Sequence, residues 1–325
     1  MRRKWLFAMI CVLGCIYFVV RRAMVVPTLT VGETHIIRDV GVNAQGVPQV
    51  DLFVLGDTGS GSQDQYDVAA AMDAYCSQQP KAIDGVLLLG DNFYHIGVAS
   101  VEDPQWQSKF ERPYRRGCLT PLPFYAILGN HDYRQDPTPQ IAYTAKSEQW
   151  TMPARNYRID FGEIVTLAMM DSGFPDFCFI SPACSVDFIR ATLDDSQAVW
   201  KTVAAHHPVQ TLSTKPWGHR GDGIFGWAMR TFSCQRADLW LSGHSHHLEY
   251  RDFEDCRLRA VVAGGGGGTL DQIRQPADTQ VRFAASRHGF VHLQWTAQHM
   301  TVKFLGKKAE LLFESQRQRA DSPLE

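Results

Sequence analysis

An α/β fold is predicted by three features of the sequence. Apolar runs of buried-strand length recur and end in glycine, asparagine, aspartate or histidine turns. Two of them, Asp51–Leu55 and Val86–Leu89, are joined through a helical stretch. The carboxyl-terminal third returns to strand-like segments consistent with a second sheet. In open sheets of this kind the loops gather at the carboxyl ends of the strands, and ligands bind there.

Taken in order, Asp51–Leu55 runs into Gly56-Asp57-Thr58-Gly59, whose glycines let the chain turn sharply as Asp57 emerges. Ala69–Tyr75, preceded by Asp64 and Asp67, reads as a helix, and the strand Val86–Leu89 ends in Gly90-Asp91-Asn92-Phe93-Tyr94. A helix carrying Trp106, Phe110 and Tyr114 leads to the strand Phe124–Leu128 and the turn Gly129-Asn130-His131-Asp132. Tyr157–Phe161 and Ile164–Met170 form a hairpin through Gly162-Glu163, with Asp171-Ser172 read as a loop in preference to a support behind the ligands. A capped helix, Ser185–Gln197, precedes the strand Trp200–Ala205 and its His206-His207-Pro208 ending. The glycine-rich span Gln210–Phe232, with Trp217, His219 and Arg220, is expected to be a substrate lid followed by a short helix. Ala237–Leu241 then ends in Ser242-Gly243-His244-Ser245-His246-His247. The run Gly264–Gly268 has no Lys-Ser/Thr after it, which excludes a P-loop, and it is expected to be a flexible turn beside the site. Arg259–Ala263, His288–Trp295 and Met300–Leu305 complete the strands, and residues from Gln316 onward read as a frayed tail.

With 325 residues, 45% of them hydrophobic, and a formal net charge of -2, the chain can bury a large core and carries no basic excess for nucleic acid. No Pro/Ser linker forces a split, so one catalytic domain, residues 50–315, is expected behind a linker of residues 25–49, with a tail of residues 316–325. Residues 1–24 read as a membrane anchor or signal segment: Arg2-Arg3-Lys4, an apolar run from Trp5 to Val20, then Arg21-Arg22. The charge bias puts the domain on the extracytoplasmic side, anchored or exported. Val12-Leu13-Gly14-Cys15 resembles a lipobox, which leaves lipidation at Cys15 as a competing reading. Six of the eight cysteines lie beyond this segment, an even number suited to disulfides, and the short Cys178 to Cys184 loop is the first pairing expected.

The turns carry the chemistry. Asp57, Asp91, Tyr94, Asn130, His206, His244 and His246 make seven candidate metal ligands of mixed oxygen and nitrogen character. One aspartate, Asp91, can bridge two cations; the Tyr94 phenolate is a hard ligand suited to a ferric ion; and the Asn130 carbonyl is neutral, which favours a divalent one. His244 and His246, two apart on an extended segment, point to the same side and can serve adjacent metals. Taken alone, the Gly90-Asp91 and Asn130-His131-Asp132 turns read more readily as a loop or helix cap, and their recurrence at successive strand ends together with the His244-x-His246 pair points to metal.

The blocks Gly-Asp-Thr-Gly, Gly-Asp-Asn-Phe-Tyr, Gly-Asn-His-Asp, Val203-Ala-Ala-His206 and Gly-His-Ser-His, in that order from Gly56 to His246, resemble the five metal-binding motifs of the purple acid phosphatases. These belong to the calcineurin-like metallophosphoesterases, and the small tartrate-resistant type is the most similar. The resemblance implies a four-layer αββα sandwich with two mixed sheets flanked by helices. It implies Fe(III) on Asp57, Tyr94, His246 and the shared Asp91, with a second divalent metal, Fe, Zn or Mn, on Asn130, His206, His244 and Asp91. It further implies hydrolysis of a small phosphomonoester by a metal-bound hydroxide in acid, with His131 contacting the phosphate and assisting the leaving group. His219 lies where the tartrate-resistant enzymes carry another active-site histidine, although the local sequence departs from theirs, and His207 is given no chemistry. A phosphodiesterase or nucleotide hydrolase, and an inactive exported binding protein, are the competing functions on such a scaffold.

Overall fold

A computed structural model describes residues 34–172, 183–215, 223–274 and 278–319. The amino-terminal segment, His219 and the Cys178–Cys184 pairing lie outside them. In chain order the strands and longer helices are β1 (His35–Arg38), β2 (Val50–Leu55), α1 (Gln63–Cys76), β3 (Gly85–Leu89), β4 (Phe124–Ile127), β5 (Trp150–Thr151), β6 (Tyr157–Phe161), β7 (Val165–Met170) and α2 (Ala183–Asp194). They continue as β8 (Trp200–Ala205), α3 (Ile224–Ser233), β9 (Leu239–Ser242), β10 (Leu248–Asp252), β11 (Arg259–Ala263), β12 (Val281–Ala285), β13 (Gly289–Trp295), β14 (His299–Gly306) and β15 (Leu311–Gln318).

Two mixed sheets result, one of eight strands in the order β1-β6-β7-β8-β9-β11-β10-β12 and one of seven in the order β15-β14-β13-β2-β3-β4-β5. The alternation of side chains explains the layers. Leu167 and Met169 of β7 and Leu239 and Leu241 of β9 join the large core that also holds Leu52, Val54, Leu87 and Val291 of the other sheet. Their neighbours Ala168, Met170 and Trp240 turn the other way, onto Ile189 and Leu193 of α2 and Phe225 and Met229 of α3. On the seven-stranded sheet Phe53 meets Tyr75 of α1 with ring centroids 6.0 Å apart. The order is helix, sheet, sheet, helix, as expected for the four-layer sandwich. Tyr157 ties the sheets together by donating its hydroxyl to the Ala126 carbonyl at 2.8 Å.

Several stretches differ from the sequence reading. Residues 35–38, in the expected linker, form β1, which pairs in parallel with β6 through His35↔Arg158 to Arg38↔Phe161. The expected tail from Gln316 enters β15, which pairs with β14 as far as His299↔Gln318. The run Gly264–Gly268 lies beside the site as expected but is buried and hydrogen-bonded, not a flexible turn: Gly264 N–H donates to His247 O at 3.0 Å and Gly268 N–H to Asp57 O at 2.8 Å. Disulfides join Cys76 to Cys118 and Cys234 to Cys256. Among the described residues no helix is long and apolar enough to cross a membrane, and the Trp5–Val20 run is not among them.

Candidate metal centre

The carboxyl ends of five parallel strands deliver the predicted side chains to one place. β2 leads to Asp57, β3 to Asp91 and Tyr94, and β4 to Asn130 and His131 in one sheet; β8 leads to His206 and β9 to His244 and His246 in the other. Backbone bonds lock the turns together: Asp57 N–H donates to Gly90 O at 3.0 Å, and Gly243 N–H to His206 O at 3.1 Å. Asp57, Asp91 and His244 have φ of 59°, 52° and 65°, and only one other described non-glycine residue, Ala309, has positive φ. Such conformations persist where the surroundings over-determine them, as they do at ligand-holding turns.

The side chains form two groups. In the first, Tyr94 donates its hydroxyl to Asp57 Oδ1 at 2.9 Å, and His246 Nε2 lies 2.9 Å from the same phenol oxygen and 3.3 Å from Asp57 Oδ1. In the second, Asn130 Oδ1 lies 3.1 Å from His206 Nε2 and 2.9 Å from His244 Nδ1, and the two ring nitrogens are 3.2 Å apart. Asp91 stands between them: its Oδ1 is 3.5 Å from His206 Nε2, and the Asp57, Asp91 and His206 ligand atoms lie within 4.8 Å of one another.

Carbonyl oxygens set which nitrogens face inward. His206 Nδ1–H donates to Leu89 O at 2.7 Å, and His246 Nδ1–H to Thr269 O at 2.7 Å, so each ring, when neutral, presents the lone pair of Nε2 to its group. In the second group the Asn130 amide oxygen, the His206 Nε2 lone pair and His244 Nδ1 converge on one point, an arrangement that suits a cation. Asp57 Oδ2 is buried and accepts no hydrogen bond. A buried carboxylate oxygen in that condition, within a set of carboxylates, phenol, amide oxygen and imidazoles, fits hard or borderline metal ions.

The electrostatics agree. Burial raises the Asp57 carboxyl, but His246, His206 and the Tyr94 hydroxyl outweigh it and hold Asp57 below the ordinary carboxylate range. Burial lowers the His246 ring, while the Asp57 carboxylate carries it the other way, to about 9. Burial, then Asp57 and Asp91, push the Tyr94 phenol well above its ordinary value. The unbalanced negative charge is thus held by protons on neighbouring groups, a role a bound cation takes over.

Around the ligands stand residues that orient and support them, Asp132 and His207 among them, to which the sequence reading gives no role, and His131, to which it does. The Asp132 carboxylate accepts from the N–H groups of Gly129 at 2.8 Å, Asn92 at 3.2 Å and Phe93 at 3.2 Å, and from Gln140 Nε2 at 2.9 Å, joining the Asp91 and Asn130 turns. His207 N–H donates to Ser172 Oγ at 3.1 Å, its Nδ1 is 3.0 Å from the same oxygen, and its ring lies 4.4 Å from that of His244. The Asp171-Ser172 turn, read as loop, therefore backs a ligand. His131 is half-buried; its Nδ1–H donates to His95 O at 2.9 Å, and its Nε2 is 4.0 Å from Asp91 Oδ2. Asp132 sits inside a quoted block, but nothing in its spacing separates it from a cap, and the Leu89 and Thr269 carbonyls leave no mark on a sequence.

Two sheets meeting at a cluster of metal-type ligands on strand ends define a metallophosphoesterase. A family model described as Calcineurin-like phosphoesterase matches residues 50–248. Purple acid phosphatase 3 of Arabidopsis thaliana is 30% identical over 283 residues, 78% of this chain and 74% of the relative. Tartrate-resistant acid phosphatase type 5 of Homo sapiens is 25% identical over 330 residues, 93% of this chain and 97% of the relative. Among solved structures, GAP50, described as the anchor in the inner membrane complex of Plasmodium, superposes with a TM-score of 0.69 at 18% identity, covering 83% of this chain and 89% of that one, a likeness of fold. The chain belongs to the calcineurin-like phosphoesterase family and, within it, to the purple acid phosphatases. That membership makes it a phosphatase.

Proposed function

We propose that the chain is an acid phosphomonoesterase whose two metals, Fe(III) and a divalent Fe, Zn or Mn, are held by Asp57, Tyr94 and His246 on one side, by Asn130, His206 and His244 on the other, and by Asp91 between them. The observation that carries this reading is the pair of converging groups with Asp91 beside them and Asp57 Oδ2 without a hydrogen bond. When bound, such a metal pair activates water in acid and neutralises phosphoryl oxygens. The chain's own residues do the rest. Leu89 O and Thr269 O orient the two imidazoles, Asp132 holds the turns in register, and His131, fixed through Nδ1, presents Nε2 as the atom that gives a proton to the leaving oxygen. His219 is proposed as a second substrate contact on its sequence position alone.

The extracytoplasmic, anchored address is proposed with it. Disulfides Cys76–Cys118 and Cys234–Cys256 support an oxidising compartment. Comparing an aryl phosphomonoester with a bis-aryl ester at about pH 5 tests the substrate class. Preference for the monoester, lost in Asp91→Ala, supports the proposal. Faster turnover of the bis-ester assigns a phosphodiesterase instead, and no turnover of either by the metal-loaded protein assigns an inactive binding protein.

A further inference from the structure

Where β8, β9 and β11 begin, at the end of the sheet opposite the ligands, a second charged cluster takes no part in the chemistry above. Asp238, just before β9, is fully buried. Its Oδ2 accepts Lys201 N–H at 3.0 Å, while its Oδ1 faces three guanidiniums: Arg319 Nη1 at 3.1 Å, Arg257 Nε at 3.6 Å and Arg317 Nη1 at 3.9 Å. Arg236 Nε lies 3.3 Å from Asp194 Oδ1, and Lys201 Nζ donates to Leu193 O at 2.6 Å. Neighbouring Arg259 has its own partner in Asp252 at 2.7 Å. Setting that pair aside and leaving Arg317 out of the count, the cluster among the described residues holds four cations, Lys201, Arg236, Arg257 and Arg319, against the two carboxylates Asp194 and Asp238.

Further donors of these side chains go to neutral oxygens. Arg257 Nη2 donates to Arg236 O at 3.0 Å, Arg317 Nη1 to Arg257 O at 2.6 Å and Arg236 Nη1 to Phe232 O at 3.3 Å, and Arg319 is held 5.4 Å over the Trp200 ring. These contacts fix the guanidinium planes without neutralising their charge. The Arg236 and Arg319 side chains stay 33% and 37% exposed, so solvent reaches the cluster. The result is an oriented, open excess of positive charge.

We propose that this cluster binds phosphate groups at a site separate from the metal centre. Guanidinium forks match phosphate oxygens in pairs, a doubly charged oxyanion offsets the excess, and the pre-set planes lower the cost of ordering. Lys201 and His206 stand at opposite ends of β8, which at about 3.3 Å per residue puts the sites roughly 16 Å apart. A soluble phosphate compound and an anionic lipid headgroup present this same chemistry.

The test uses the metal-loaded full chain and the variant Lys201→Gln/Arg236→Gln, which leaves all three guanidiniums on Asp238. Calorimetry with methylenediphosphonate is expected to find two sites in the wild type, one shared with competitive inhibition and one not. The variant weakens the second by about tenfold or more and leaves aryl phosphate turnover unchanged. In a second arm, binding to vesicles containing phosphatidylinositol bisphosphate, in excess of that to neutral vesicles, identifies a lipid headgroup as the source if the same variant abolishes it. Arg319→Lys, which keeps the charge but loses the guanidinium fork, is expected to bind more weakly than the wild type and more tightly than the double variant in whichever arm responds. A single diphosphonate site together with no excess vesicle binding overturns the proposal, as does binding that the variant leaves unchanged in both arms.

Discussion

Tyr94 and His246, 152 residues apart in the chain, meet with 2.9 Å between the phenol oxygen and Nε2. The ring nitrogen is turned inward by Thr269 O, and the phenol oxygen also reaches Asp57, so one oxygen lies between a carboxylate and an imidazole. Tyr94→Phe removes only that oxygen, while the ring keeps its edge contact, 4.6 Å between centroids, with His131. The variant is expected to lose the visible charge-transfer band of a phenolate on iron and to change folding stability by no more than about 1.5 kcal/mol. An absorption spectrum beside a denaturant titration checks both; a band that survives the substitution removes Tyr94 from the iron site.

Gly129→Ala tests the site without deleting a ligand. A Cβ at this position would fall inside van der Waals contact of Asp91 N and Asp91 Oδ1, where backbone cannot yield cheaply. The bridging carboxylate has to move. Metal affinity is expected to fall by at least about 100-fold, a loss at the upper end of that seen when supporting contacts of a metal site are removed. Metal retained on dialysis at the wild-type level contradicts the assigned position of Asp91.

His131 makes a prediction about leaving groups and pH. Burial is the largest influence on its ring and holds it below its ordinary value of 6.5, against the pull of Asp91. Protonated Nε2 is present only below that depressed value, so activity that needs it falls as pH rises through it. His131→Ala is expected to lower kcat/KM for an alkyl phosphate by about 100-fold or more, to affect an aryl phosphate much less, and to flatten the alkaline limb. Equal losses on both substrates would make His131 a binding residue and not the acid.

Acid working conditions have a cost elsewhere. His292 is buried, with Nε2 3.0 Å from Asp51 Oδ1, and burial outweighs Asp51 to hold the ring below 6.5. The unfolded chain takes up this proton near 6.5 and the folded chain only at lower pH, so the stability it contributes is fully present above about 6.5 and is lost as pH falls through the folded-state value. Asp51 is held below 3.8, because His292, Gln294 and Gln49 outweigh burial, and its share is lost only as pH falls through that still lower value. Denaturant midpoints at about pH 7.5 and 5.5 are expected to differ in the wild type and to converge in His292→Gln; no convergence assigns the pH dependence to other groups.

How much of this was legible in the sequence follows from where the energy lies. Trp200–Ala205, Tyr157–Phe161 and Arg259–Ala263 match their strands because buried strands must be apolar at each inward position. β1, with the burial of its HIIR residues falling away along the strand, and β15, with the polar run ESQRQ, are edge strands that pair on one side only and add few apolar side chains, Ile36, Leu312 and Phe313, to the core. The glycine run misleads for a related reason. Its small residues serve close packing: a side chain at Gly264 would meet Ser245 O and Asp57 Oδ2, and composition alone cannot tell a crowded backbone from a loose one. The ligands themselves were readable because each closes a strand, whereas Asp132, Ser172 and the carbonyls of Leu89 and Thr269 act through distances that appear only on folding.

The central claim is that Asp91 stands between two cations. Metal analysis of the purified protein by mass spectrometry, with crystallographic anomalous scattering to place the ions, measures this directly. Two ions per chain, at least one of them iron, on either side of Asp91 and both lost in Asp91→Ala, is the predicted result; a single ion, or two that persist in that variant, contradicts it.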